Sequence, residues 1–171
     1  MPRIARQYIR VVDAVNYRIG RVMMYGIFVM MAILLWSSIS KTFFLPSLWT
    51  LEIAQFAMVT YYILGGPYSL QMGSNVRMDL FYGEWSVRKK AWFDAFTVLL
   101  LLLYLGVLLY GAIASTSYSL QYGERSPTAW RPYLWPIKVT MCIGFFLMLL
   151  QAISELLKDI ATIKGVDLDV A

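Results

Sequence analysis

The stretch AFTVLLLLLYLGVLLYGAIASTSYSLQYG, Ala95 to Gly123, contains 29 residues without a charge, bounded by Asp94 and Glu124. A helix needs about 20 apolar residues to cross a hydrocarbon core about 30 Å thick. The run lacks the polar alternation of a barrel strand, so it predicts a membrane-spanning helix, whose backbone groups are all satisfied within the segment. Three more uncharged runs lie on either side: Val22 to Ser40, Ile53 to Asn75 or Val76, and Val139 to Ser154. The last is short, but Lys138 and Glu155 at its ends can snorkel to the interfaces. The expected spans are about 20–40, 50–74, 90–120 and 136–157.

Composition agrees with this reading. Of 171 residues, 60% are hydrophobic and 15% charged, against about 45–50% and 25% in soluble domains. Mean hydropathy is +0.62. The expected fold class is an all-α integral membrane protein, one membrane domain over residues 1–171. It has four transmembrane helices and an N-terminal amphipathic interfacial helix at 3–19. In that helix Ile4, Tyr8, Val11, Val12, Val15 and Ile19 recur at helical spacing, opposite Arg3, Arg6, Arg10, Asp13 and Tyr17. It is expected to lie among the cytoplasmic lipid headgroups. The first apolar run is too long for a signal peptide, and no clear cleavage site follows it, so it is read as retained.

The net charge of +5 follows the topology rather than a nucleic-acid partner. The N-terminal segment, the loop between spans two and three, and the tail hold eleven Lys and Arg; the opposite side holds Lys41, Arg125, Arg131 and Lys138. Basic residues gather on the cytoplasmic side, which puts both termini there, as four spans require. The six tryptophans fall near predicted ends or in loops, where an interfacial belt forms.

Several chemistries are missing from the sequence. There is no histidine, which removes histidine-ligated metals, bis-histidine haem and Ser-His-Asp or Cys-His catalysis. The lone Cys142 has no disulfide or redox partner. No charge lies deep within a span, where a coupling residue is found in an autonomous transporter. Neither a phosphate loop nor an internal repeat is present. The expectation is no catalytic, metal or cofactor site in this chain, with the chemistry on another polypeptide.

Some segments carry packing or contact signals. Gly65, Gly66 and Pro67 combine a missing backbone donor with small side chains, a kink or a close helix contact. Ser86 is placed to cap the third span; Arg77, Asp79 and Glu84 are able to pair and fix the turn before it. The third loop, residues 121–136, has three prolines and many aromatics, which suit equally a protein interface and the headgroup zone. Lys41, Glu124, Arg125, Trp130 and Arg131 are its side's candidates for a periplasmic contact. Whether the helices close into a bundle or spread is left open, with the aromatics favouring an open, tilted arrangement.

Taken in order, Leu64-Gly65-Gly66-Pro67-Tyr68-Ser69-Leu70, Asn75-Val76-Arg77-Met78-Asp79-Leu80-Phe81-Tyr82 and Trp85-Ser86-Val87-Arg88-Lys89-Lys90 resemble the DctQ-like small membrane subunit of TRAP (tripartite ATP-independent periplasmic) transporters. Glu124-Arg125-Ser126-Pro127, Trp135-Pro136-Ile137-Lys138, Gly144-Phe145-Phe146 and Leu149-Leu150-Gln151 extend the likeness over roughly residues 20–160. The usual pattern is a small-residue stretch, then His-Val-Arg-x-Asp, then Ser-Pro-Arg. Here Asn75 replaces the histidine and Val87 the proline, so a titrating role at position 75 is not carried over. Arg77, Asp79, Ser86 and Arg88 keep their places.

The resemblance implies a non-catalytic scaffold in a bacterial or archaeal inner membrane. Its partners would be a large multispanning subunit, a periplasmic substrate-binding protein and membrane lipids. The complex would import an organic acid using a sodium gradient. The rival reading is an autonomous four-helix exporter working as a homodimer, against which the absence of a buried carboxylate weighs. A membrane enzyme or electron carrier is disfavoured by the absence of histidine.

Overall fold

The computed structural model describes residues 3–44, 47–73 and 87–164. Its first helix, α1, runs unbroken from Arg3 to Phe43. Nothing in that sequence stops a helix: there is no proline, and the glycines at 20 and 26 face neighbours rather than solvent. Lys41 sits in the last turn, where a cation suits the negative helix end, and Pro46 follows in the sequence.

This corrects the expected division at residue 20. The interfacial helix and the first span are one element, about 60 Å long at 1.5 Å per residue. The expected apolar face is covered within the chain only in part, at Tyr8, Val12 and Ile19. Ile4 is 80% exposed, Val11 55% and Val15 43%, while Ile9, Val12, Asn16 and Gly20 are buried. From Ile9 onward the covered positions are Ile9, Val12, Asn16, Ile19–Gly20, Met23, Gly26, Met30, Ile33, Ser37 and Ser40, with Asp13 beside them. They alternate in steps of three and four, the 3.5-residue repeat of a packing seam. The seam ignores polarity, which is why a search for apolar periodicity misses it.

α2 spans Thr50–Gln71 and runs back along α1. Ser37 Oγ meets Thr50 Oγ1 at 3.0 Å, Gly26 faces Tyr61, and Gly20 faces Tyr68. Eleven residues from Ser37 to Gly26 match eleven from Thr50 to Tyr61, so the two helices hold one antiparallel register. α2 ends with Met72 N–H donating to Tyr68 O at 3.0 Å and Gly73 at φ +61, a left-handed stop that glycine adopts freely.

α3, Val87–Tyr122, ends the same way at Gly123, φ +59. α4, Trp135–Ile163, has a proline in its first turn, where the missing N–H has no helical partner to lose.

α1, α2 and α4 pack on one another, and α3 lies mainly against α4. The arrangement is not a closed four-helix bundle. α4 is its centre: 22% of its most apolar stretch is buried, against 6% in α1 and in α3. Among the described residues three helices, α1, α3 and α4, are long and apolar enough to cross a membrane. α2 is long enough but more polar, with Glu52, Gln55, Gln71 and three tyrosines among its 22 residues.

Candidate functional site: a polar clasp where α1 meets α4

Beyond the end of α2, the N-terminal half of α1 continues along the last turns of α4. Asp13 and Asn16, three residues apart, meet Gln151, Ser154, Glu155 and Lys158, which share one face of α4 by helical spacing. Asn16 Nδ2 donates to Gln151 Oε1 at 2.7 Å. Gln151 Nε2 donates to Asp13 Oδ1 and to Glu155 Oε1, both at 3.0 Å. Ser154 Oγ donates to Asp13 Oδ1 at 3.1 Å. Lys158 Nζ lies 2.8 Å from Asp13 Oδ2 and 2.8 Å from Glu155 Oε1. Tyr8 adds a bond from its hydroxyl to the Leu150 carbonyl at 3.1 Å.

Asn16, Gln151 and Ser154 are 1% exposed or less. Two carboxylates sit close together, and both Gln151 and Lys158 bridge them, offsetting their repulsion. In such a network each member costs more to remove than it contributes as a pair, because its partners stay buried and unpaired. Asn16 Oδ1 is buried without a partner among the described residues. The arrangement ties the two helices together through Asp13, Asn16, Gln151, Ser154 and Lys158.

Two glycines set the helix spacing beside the clasp. A Cβ at Gly20 would overlap the Tyr68 side chain, and one at Gly144 would overlap Ile63 Cγ2 and stand 3.2 Å from the Ile63 carbonyl oxygen. That carbonyl is the one whose helical donor Pro67 removes. α4 therefore packs against α2 beside the carbonyl whose helical donor Pro67 removes.

The three expected packing residues have different surroundings. Pro67 is buried inside α2, a Cβ at Gly66 would stand 3.5 Å from Met148, and Gly65 has open space before it. Tight packing within the chain falls on Gly20 and Gly144 instead.

At the other end, residues 123–134 form an ordered clip. Ser126 N–H donates to Pro132 O at 2.9 Å and Leu134 N–H to Glu124 O at 3.1 Å. The Arg125 guanidinium lies 4.2 Å from the Tyr133 ring centroid and bonds its hydroxyl, a cation–π contact. Arg131 turns the chain at φ 52. Lys138 Nζ donates to Glu124 Oε2 at 2.6 Å, joined by the Ser119 hydroxyl. These two bonds, the lysine's first, hold the Glu124 carboxyl below its ordinary pKa. Trp130 is 42% exposed, and Lys41 is exposed in the last turn of α1.

Asn75, Val76, Arg77, Asp79 and Ser86 lie outside the described residues, as does the side chain of Arg88 in the first turn of α3. Glu52 in the first turn of α2 is buried, and its Oε2 has no partner among the described residues.

The family model of the DctQ component of tripartite ATP-independent periplasmic transporters matches residues 30–162. The chain belongs to the DctQ family. No curated protein and no solved structure matches it. The DctQ match takes in α2, α3, the clip and the α4 half of the clasp. The α1 half, Asp13 and Asn16, precedes it. In the sequence of this DctQ chain Gln151 stands out as part of the motif Leu149-Leu150-Gln151, and Glu155 as the end of a span. Their common face with Ser154 and Lys158 was the available signal.

Proposed function

We propose that this DctQ-family chain is the non-catalytic small permease subunit of a TRAP transporter. It scaffolds a large multispanning transport subunit that imports an organic acid with a sodium gradient, the acid being delivered by a periplasmic binding protein. In this reading all four helices cross a bacterial or archaeal inner membrane, both termini are cytoplasmic, and the chain holds no cofactor. The match over residues 30–162 carries the proposal.

The physical chemistry of the chain supports it. α2 completes the fourth span despite its polarity because α1 and α4 cover it, and a helix shielded by protein tolerates polar residues that lipid would reject. Eleven basic residues fall on the side of the termini. Broad apolar faces remain open on α1 and α3, including Leu103 at 68% and Tyr110 at 79% exposed, and these are the surfaces available to the large subunit and to lipid. The clip with Trp130 and Arg131 faces the periplasm, together with Lys41, and is offered to the binding protein. On the other side Arg77 is expected from the sequence to pair with Asp79 ahead of Ser86 and Arg88.

Uptake assays on vesicles test the reading. This chain alone should accumulate no substrate, and the large subunit with the binding protein should need this chain for full uptake. Transport by this chain alone would overturn the proposal. Single charge reversals at Arg77 or Asp79 should impair assembly, and the double reversal should restore it.

A further inference from the structure

Between α1 and α2 a groove of about 360 Å³ opens beside the clasp, walled by Met23, Met24, Tyr62 and Tyr68 with Gly65 and Gly66 at its base. Gly65 keeps the groove hollow, since no atom lies within 4 Å of where its Cβ would stand. Next to Tyr68 the surface is polar. The Tyr68 ring lies 5.8 Å from the Tyr17 ring, tilted by 55°, and the Arg21 guanidinium lies 4.8 Å from the Tyr17 ring centroid and bonds its hydroxyl. Arginine has five donors in a planar fork, so Arg21 retains donors for a phosphate.

Four more arginines, at 3, 6, 10 and 18, precede it on α1. Gly20 and Tyr68, which approach tightly, line the groove on the side of Arg21, while Met24 and Tyr62 in its wall are 53% and 61% exposed. An apolar trough ending at an arginine and tyrosine hydroxyls matches one amphiphile: a hydrocarbon chain along the trough and an anionic headgroup at its end. The depth agrees, because the last charges before the apolar run of α1 are Arg18 and Arg21.

We infer that the α1–α2 groove is a binding site for an anionic glycerophospholipid, one acyl chain lying over Gly65 and Gly66 and the phosphate held by Arg21. Neighbouring arginines supply the attraction of a basic juxtamembrane segment for an anionic leaflet, and Tyr17 fixes the direction of the Arg21 guanidinium. The site stands apart from transport, and its test does not depend on it.

The test is native mass spectrometry of the full-length chain released from mild detergent and titrated separately with phosphatidylglycerol and phosphatidylcholine. The expected result is one retained lipid, with phosphatidylglycerol preferred about fivefold or more over phosphatidylcholine, the effect of one surface cation. Arg21→Gln should abolish the preference while the lipid is still retained. Gly65→Leu, which fills the trough from a position with open space, should remove the retained lipid of either kind. Gly106→Leu on α3, also facing open space, is the control that leaves both results unchanged. Circular dichroism confirms that each variant is helical. Equal retention of the two lipids by the unaltered chain, or retention and preference unmoved by both groove variants, would overturn the inference. So would a lipid displaced equally by Gly106→Leu.

Discussion

At the scale of single residues, glycines with different surroundings make a direct comparison. Gly144 has the Ile63 side chain and carbonyl against it, and Gly106 has nothing within 4 Å. Gly144→Ala should destabilise the chain by about 1–3 kcal/mol, the cost of forcing atoms into a filled space. Gly106→Ala should stabilise it by about 0.5–1 kcal/mol through better helix propensity. Unfolding midpoints in mixed micelles check both. At the clasp, Lys158→Met leaves Asp13 and Glu155 facing each other. With Lys158 a quarter exposed, solvent screens part of the loss, and about 1–3 kcal/mol is expected. Faster amide exchange at residues 9–16 would report it; unchanged exchange would show that apolar packing alone holds α1 to α4. Glu124 adds a pH prediction. Its folded pKa is lowered, by the Lys138 bond first, so its contribution is present above the unfolded value of about 4.3. That contribution is lost as pH falls through the folded value. Cleavage within residues 125–131 should increase below that pH and stay constant between pH 6 and 8, and Glu124→Gln should remove the pH dependence.

Among elements, α1 separates what the sequence disclosed from what it hid. The apolar run 22–40 was legible by hydropathy, and so were the helices containing the runs at 53, 95 and 139. The continuity of α1 was not, because Arg18 and Arg21 break the hydropathy profile without breaking the helix. The covered seam passes through Asn16, Gly20, Gly26, Ser37 and Ser40, residues that an apolar-periodicity reading counts as outward. In lipid, small and polar residues mark helix contacts while large apolar ones face outward, so Asn16 and Gly20 pack within the chain while Ile4, Val11 and Val15 stay open. One alanine inserted after Gly20 would rotate the seam before it by about 100° relative to the seam after it. A single continuous α1 predicts loss of protection either at residues 9–16 or at residues 23–40. Two independent helices joined at residue 20 would absorb the insertion with neither effect.

Among the described residues α1 and α2 gather against α4 with α3 laid alongside, much of the apolar surface still open. Family membership was legible from the order of short motifs, and the match over residues 30–162 bears it out. The clasp was not legible, because its halves lie about 140 residues apart in sequence and one of them lies outside the family match. The open surface fits a chain completed by a larger partner. The measurement that tests this most directly is purification of the tagged chain from its native membrane in mild detergent, with the co-purifying proteins identified. The account predicts a large multispanning protein in stoichiometric amount. A homogeneous homo-oligomer with no such partner would contradict it.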